Sequence, residues 1–166
     1  MTLSDTELAA QCGAELQARG LHLAVAESCT GGLLGHLLTE VPGSSAWFWG
    51  GIIAYDDRVK IALLDVSVGT LERYGAVSFG CAGEMAAGVQ QRLGSDVALA
   101  ITGIAGPDGG TAEKPVGTVF VALAAGDKTR IARYYSTGDR SSNKHASARA
   151  ALELLQDWLA KTREEG

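Results

Sequence analysis

Three stretches of this sequence gather side chains that could do covalent chemistry. The first is AVAESCTGGLLG, residues 24–35, where an apolar run ends at Glu27 and Ser28, Cys29 and Thr30 follow in a row before Gly31 and Gly32. A strand ending at Glu27 and a helix beginning near Thr30 would put Ser28 at the carboxyl end of a sheet strand, where open α/β sheets bind ligands. The N–H groups of Cys29 to Gly32 would then be unpaired donors at a helix N-terminus, suited to a phosphate or a developing oxyanion. Gly31 and Gly32 lack a Cβ, so a ligand could approach closely. The plainer alternative is that Ser28 or Thr30 only caps the helix, worth about 1 kcal/mol. The spacing is not GxSxG, so the nucleophile elbow of α/β-hydrolases is not matched.

A serine hydroxyl needs a base to attack. His22, His36 and His145 are scattered, but YDDRVK, residues 55–60, offers Tyr55 and Lys60 at the end of a buried-looking strand. A lysine serves as base where a water-poor pocket destabilises its ammonium. The alternative is a surface lysine on an amphipathic helix. The separation also differs from the YxxxK of short-chain dehydrogenases. Cys29 is the rival nucleophile, with Glu27 the one acid–base group near it in sequence.

The third stretch, ITGIAGPDGGTAEKPVGT (101–118), carries five glycines, two prolines and three threonines directly after a strand. No Gly-Lys-Ser/Thr follows the glycines, so it is not a Walker A loop. Loops this long inside a compact domain are commonly functional. Thr102 would sit at a strand end as Ser28 does, and Gly103 and Gly106 would let a ligand reach the backbone. In STGDR (136–140), Arg140 could hold a phosphate or ribose through its planar guanidinium, or be a surface charge at a helix start.

The elements that must position these residues are legible from periodicity. Ser4 and Glu7 form a capping-box pattern, and Leu8, Cys12 and Leu16 mark a helix from about Asp5 to Arg19. Strands are expected at 21–26, 48–55 and 96–101, with a hairpin about Gly126-Asp127. Helices are expected at 30–39, from Asp56 over DDRVKIALL, at 78–93 and at about 141–161. This order predicts an α/β, three-layer α/β/α sandwich with a mixed, partly parallel sheet closed by an antiparallel pair. A single domain over 1–166 is expected. Trp47 and Trp49 mark either an interface of a homo-oligomer or core.

Composition narrows the classes. The 166 residues are 46% hydrophobic with a net charge of −5 and no Lys/Arg cluster, which argues against nucleic-acid binding. No window approaches the roughly eighteen apolar residues of a membrane span, and no basic-then-apolar signal segment opens the chain. Three cysteines without CxxC or Cys/His spacing read as reduced thiols in a cytoplasmic protein, with no structural metal.

AESCTGG (26–32), PGSSAWFWGGIIAY (42–55), GAVS (75–78), ITGIAGPDGG (101–110), KPVGT (114–118) and GDR (138–140) occur together in this order. In this combination the sequence resembles the CinA C-terminal domain family, the stand-alone nicotinamide-nucleotide amidohydrolases, over nearly its whole length. The nucleotide-processing N-terminal domain of full-length CinA is not in the sequence, so the short, single-domain form is expected.

The resemblance implies hydrolysis of the carboxamide of nicotinamide mononucleotide (NMN) to nicotinic acid mononucleotide and ammonia, a step of pyridine-nucleotide metabolism and NAD salvage. It implies Ser28 as nucleophile, Lys60 as its base, Tyr55 assisting proton transfer and Thr102 as a further hydroxyl of the site. Thr30, Gly31, Gly32, Gly103 and Gly106 fall in the turns that would hold the oxyanion and the substrate, and Arg140 is the substrate contact. No metal or organic cofactor is called for. The partner is the nucleotide substrate. Two positions depart from the family pattern: Asp56-Asp57 stands where Ser-Asn is frequent, and Lys144 stands where arginine is frequent.

Overall fold

The computed structural model describes residues 1–165. Helix α1 (Asp5–Ala18) starts where the capping box places it: the Glu7 N–H donates to Ser4 Oγ at 3.2 Å and the Ser4 N–H to the Glu7 carboxylate at 2.7 Å. Five strands follow, β1 (Leu23–Glu27), β2 (Phe48–Ile53), β3 (Val97–Gly103), β4 (Thr118–Ala125) and β5 (Lys128–Tyr135). They form one sheet in the order β2-β1-β3-β4-β5. The β1 pairings are parallel, and β3-β4 and β4-β5 are antiparallel. The expected mixed sheet is therefore present.

Strand alternation sends large side chains to one face and small ones to the other. Leu23, Val25, Val97, Leu99, Ile101, Val119, Val121 and Leu123 pack beneath α1, α2 (Leu33–Thr39) and α6 (Arg140–Glu164). Ala24, Ala26, Ala98, Ala100, Ala122 and Ala124 face the other way, toward α5 (Phe79–Leu93). Alanines on that face let a helix rich in Ala and Gly lie close to the sheet. Gly88 of α5 brings it equally close to α3 (Asp57–Leu64), since a Cβ there would meet the Leu64 carbonyl oxygen at 1.9 Å.

One element lies outside the expected ones, one expectation is corrected and one open alternative is resolved. VGTLERY forms helix α4 (Val68–Tyr74), started by the Ser67 hydroxyl accepting from the Thr70 N–H; its glycine and β-branched residues hid it from the apolar pattern. Strand β2 is not buried but lies at the sheet edge, paired on one side only, with Trp49 and Ile53 half exposed. Trp47 is core, 2% exposed and packed on Gly13, while Trp49 is exposed and stacks on His22 with ring centroids 4.5 Å apart. No helix among the described residues is long and apolar enough to cross a membrane.

Candidate active site

Parallel strands β1 and β3 run side by side, so their carboxyl ends bring Ser28 and Thr102 to one rim of the sheet; the Ser28 N–H still donates to the Ile101 carbonyl at 3.0 Å. The turn after β1 is built around Glu27. Its carboxylate, 2% exposed, accepts from the Thr30 hydroxyl at 2.7 Å and from the N–H groups of Leu34 (2.8 Å), Gly35 (3.1 Å) and Gly32 (3.3 Å). The helix begins at Leu33, not Thr30, because Gly32 is in a left-handed conformation (φ 107°) that ends the turn.

Of the expected cradle of Thr30, Gly31 and Gly32, the Gly31 and Gly32 N–H groups are already engaged by the protein itself. The protein's own carboxylate already occupies that helix start. Thr30 is buried with its hydroxyl on Glu27, Gly31 N–H donates to the Ser28 carbonyl, and none of the three lines the cavity beside Ser28. The N–H groups of Cys29 and Thr30 are left without a protein acceptor among the described residues.

That cavity, about 280 Å³, is lined by Ser28, Cys29, Tyr55, Asp57, Lys60, Thr102, the 103–109 turn and Arg140, among others. The Ser28 side chain has no hydrogen-bond partner among the described residues and opens into it. Lys60 is no surface lysine: it is 1% exposed. The exposed Asp56 side chain caps α3 by accepting from the Arg58 N–H at 2.8 Å, so Lys60 sits in the first turn of α3 and points beneath the rim. Its Nζ donates to the Tyr55 carbonyl at 2.9 Å and lies 3.5 Å from Asp57 Oδ1. The Asp56-Asp57 departure from the family pattern thus has a local place, Asp56 as helix cap and Asp57 as ion-pair partner.

The opposite wall is the loop after β3. Arg140, first residue of α6, donates through Nη1 to the Gly106 carbonyl and through Nη2 to the Tyr55 hydroxyl at 3.1 Å, tying two sides of the cavity together. Asn143, 1% exposed, was not singled out from the sequence. It donates to the Ala105 carbonyl at 2.9 Å while accepting from the Ser136 hydroxyl and the Gly138 N–H. An asparagine three residues into a helix that starts beside a glycine turn was the available signal. Thr102 is buried and donates to the Ala76 carbonyl at 2.8 Å, so its hydroxyl proton is engaged in holding the segment before α5.

Gly103 and Gly106 line the cavity, but their missing Cβ atoms make room for the protein itself. A Cβ at 103 would meet the Thr118 carbonyl oxygen at 2.8 Å, and one at 106 would meet Val116 at 2.4 Å. Their glycines serve the folding of the loop onto β4 rather than ligand access. Lys144 lies outside this cavity, in a neighbouring hollow that shares Arg140.

Burial pushes the Cys29 thiol up to about 11, which keeps it protonated and a poor nucleophile at neutral pH. A larger hollow of about 410 Å³ between α1 and α6 gathers no comparable chemistry. Its one thiol, Cys12, is pushed up to about 12 by burial. No group of three or more metal-ligating side chains is found among the described residues.

Fold and site together define an α/β/α protein whose serine and buried lysine share one cavity at the carboxyl end of a mixed sheet. The CinA C-terminal domain model matches residues 5–159, and the chain belongs to that family. It is 62% identical over 154 residues, 92% of the chain, to a CinA-like protein of Synechococcus elongatus, of which it covers 37%. It superposes with a TM-score of 0.92 and 35% identity on the crystal structure of a competence-damaged protein (CinA) superfamily protein from Klebsiella pneumoniae, covering 96% of this chain and 99% of that one. The competence/damage inducible protein CihA of Agrobacterium tumefaciens gives a TM-score of 0.87 at 40% identity, over 95% of this chain and 98% of that one. The chain spans between 28% and 40% of the length of the curated relatives it matches.

Proposed function

We propose that this chain hydrolyses the carboxamide of nicotinamide mononucleotide, with Ser28 as nucleophile and Lys60 as its base. The observation that carries the reading is the meeting of an unpartnered Ser28 hydroxyl and a fully buried Lys60 in one cavity. Structural lysines are rarely fully buried, so one placed there invites a chemical role.

Neutral Lys60 takes the Ser28 proton as Oγ bonds to the amide carbon. The tetrahedral oxygen gains charge and is held by the Cys29 N–H, the donor next to the nucleophile. Lys60 returns the proton to the nitrogen, the C–N bond breaks, and ammonia leaves a seryl ester. Water, activated by the same amine, hydrolyses that ester to the carboxylate and restores Ser28. The Tyr55 hydroxyl, held by Arg140, assists the proton transfer. Thr102 contributes by fixing the wall at Ala76. Asp57 and Asp108 on the lining suit the cationic pyridinium, and Arg140, with Lys144 close by, suits the phosphate.

The Lys60–Asp57 ion pair favours a second reading, a pyridine-nucleotide-binding protein that does not cut, because it engages the ammonium that a base must free. Ammonia release from NMN by wild type, Ser28→Ala, Lys60→Ala and Cys29→Ser separates them. Turnover lost with the first two and kept in the third supports the amidase. Saturable NMN binding without ammonia supports the binder, and loss with Cys29→Ser alone moves the nucleophile to Cys29.

A further inference from the structure

A second cavity, about 490 Å³, opens on the α5 side of the sheet and is larger than the one beside Ser28. Its floor is Phe120, the one large residue on that face of β4, 2% exposed beneath Phe79, the first residue of α5. Phe79 packs edge-on against Phe120 with centroids 4.7 Å apart, yet remains 51% exposed. Tyr74, at the end of α4, also lines the cavity and is 51% exposed.

Two cations line the cavity with these rings. Arg133 Cζ lies 5.5 Å from the Phe120 centroid, and its Nη2 donates to the Glu113 carbonyl at 2.7 Å. Lys114 Nζ donates to the Tyr74 carbonyl at 2.8 Å. Neither meets a carboxylate within ion-pair distance among the described residues, although the chain has 19 acids to 14 Lys and Arg. An ammonium and a guanidinium carry three and five donors, so most of theirs remain free beside exposed aromatic faces.

We propose that this cavity is a second binding site, for a planar aromatic anion: a flat ring against Phe79 and Tyr74, its carboxylate or phosphate on Lys114 and Arg133. The size and the mix of apolar wall with a few convergent polar groups fit a small-molecule site. The site shares a wall with the Ser28 cavity, since Ala76 and Val77 line that one while Tyr74 and Phe79 line this one. It does not depend on the amidase reading, and its test uses no turnover.

Amide spectra of the ¹⁵N-labelled chain are titrated with adenosine monophosphate, nicotinate and inorganic phosphate. The expected result is saturable shifts at Phe79, Gly80, Lys114 and Phe120 with at least one of the two aromatic anions, retained in Ser28→Ala. Lys114→Gln and Arg133→Gln, both on partly exposed positions, weaken binding about tenfold each, as loss of a charge-assisted hydrogen bond requires. Phe79→Ala weakens it without touching charge. Saturation by the nucleotide alone identifies a base-plus-phosphate ligand, and by nicotinate alone an aromatic carboxylate. Shifts confined to the Ser28 cavity, equal shifts with inorganic phosphate, or unchanged binding in all three variants would overturn the proposal.

Discussion

Glu27→Ala is expected to destabilise the fold by about 3–5 kcal/mol, the usual range when one partner of a buried charged network is removed. The size follows from four accepted hydrogen bonds at a side chain 2% exposed, three of them at 3.1 Å or less. Alanine leaves the Thr30 hydroxyl and the Leu34 N–H buried without an acceptor, at about 1–3 kcal/mol each before any water enters, and the half-buried Gly35 N–H unpaired at less. Water admitted to the vacated space recovers part of that, which keeps the total below the sum. Glu27→Gln separates shape from charge. Its carbonyl replaces Oε1 and keeps three donors satisfied, while its amide faces the Gly35 N–H donor to donor, a loss of about 1–3 kcal/mol. Urea unfolding followed by circular dichroism gives both differences. An alanine variant within about 1 kcal/mol of wild type would show that these bonds do not hold the turn. An alanine variant no worse than glutamine would show that the acceptor count is not what matters.

Gly88→Ala is expected to lower both stability and ammonia release, because its methyl would collide with the Leu64 carbonyl and displace the helix that carries Lys60; thermal unfolding and NMN turnover measured together check this. Trp47→Ala should cost about 3–5 kcal/mol as a core truncation, and Trp49→Ala no more than about 0.5 kcal/mol, compared by urea unfolding. A buried Trp49 interface would reverse that order. Stability should also fall in alkali. Burial raises the thiols of Cys12, Cys29 and Cys81 from an ordinary 9.0 to about 12, 11 and 11. The unfolded chain therefore loses these protons first. Their contribution is complete below about pH 9 and is lost as pH rises toward 11 and 12. Urea midpoints on either side of pH 9 should decline, and less so in Cys12→Ala and Cys81→Ala.

The sequence by itself determined the elements other than α4 and the place of the chemistry. Ser4 and Glu7 set the start of α1, the alternation of Leu/Val with Ala marks β1, β3 and β4, and the apolar run into Glu27-Ser28 set a strand end. Such signals are local, acting through hydrogen bonds and side-chain spacing within a few residues. AESCTGG and the 101–118 loop were identifiable as unusual because their glycines and hydroxyls exceed what plain turns need. What those residues do was decided by packing. Nothing local in ESCTGG says that Glu27 rather than a ligand fills the helix start. That requires the turn to close back on the carboxylate where bulk water is excluded and every N–H must find an acceptor. Nothing in YDDRVK makes Lys60 buried. It becomes so because α5 and its Gly88 draw α3 against the protein, while the neighbouring Asp56 stays in water as a cap. Gly103 and Gly106 read as open approaches until β4 and Val116 came to occupy the space. Burial is a property of neighbours distant in the chain, so the reactive candidates were legible from residue type, and their environments only from the folded molecule.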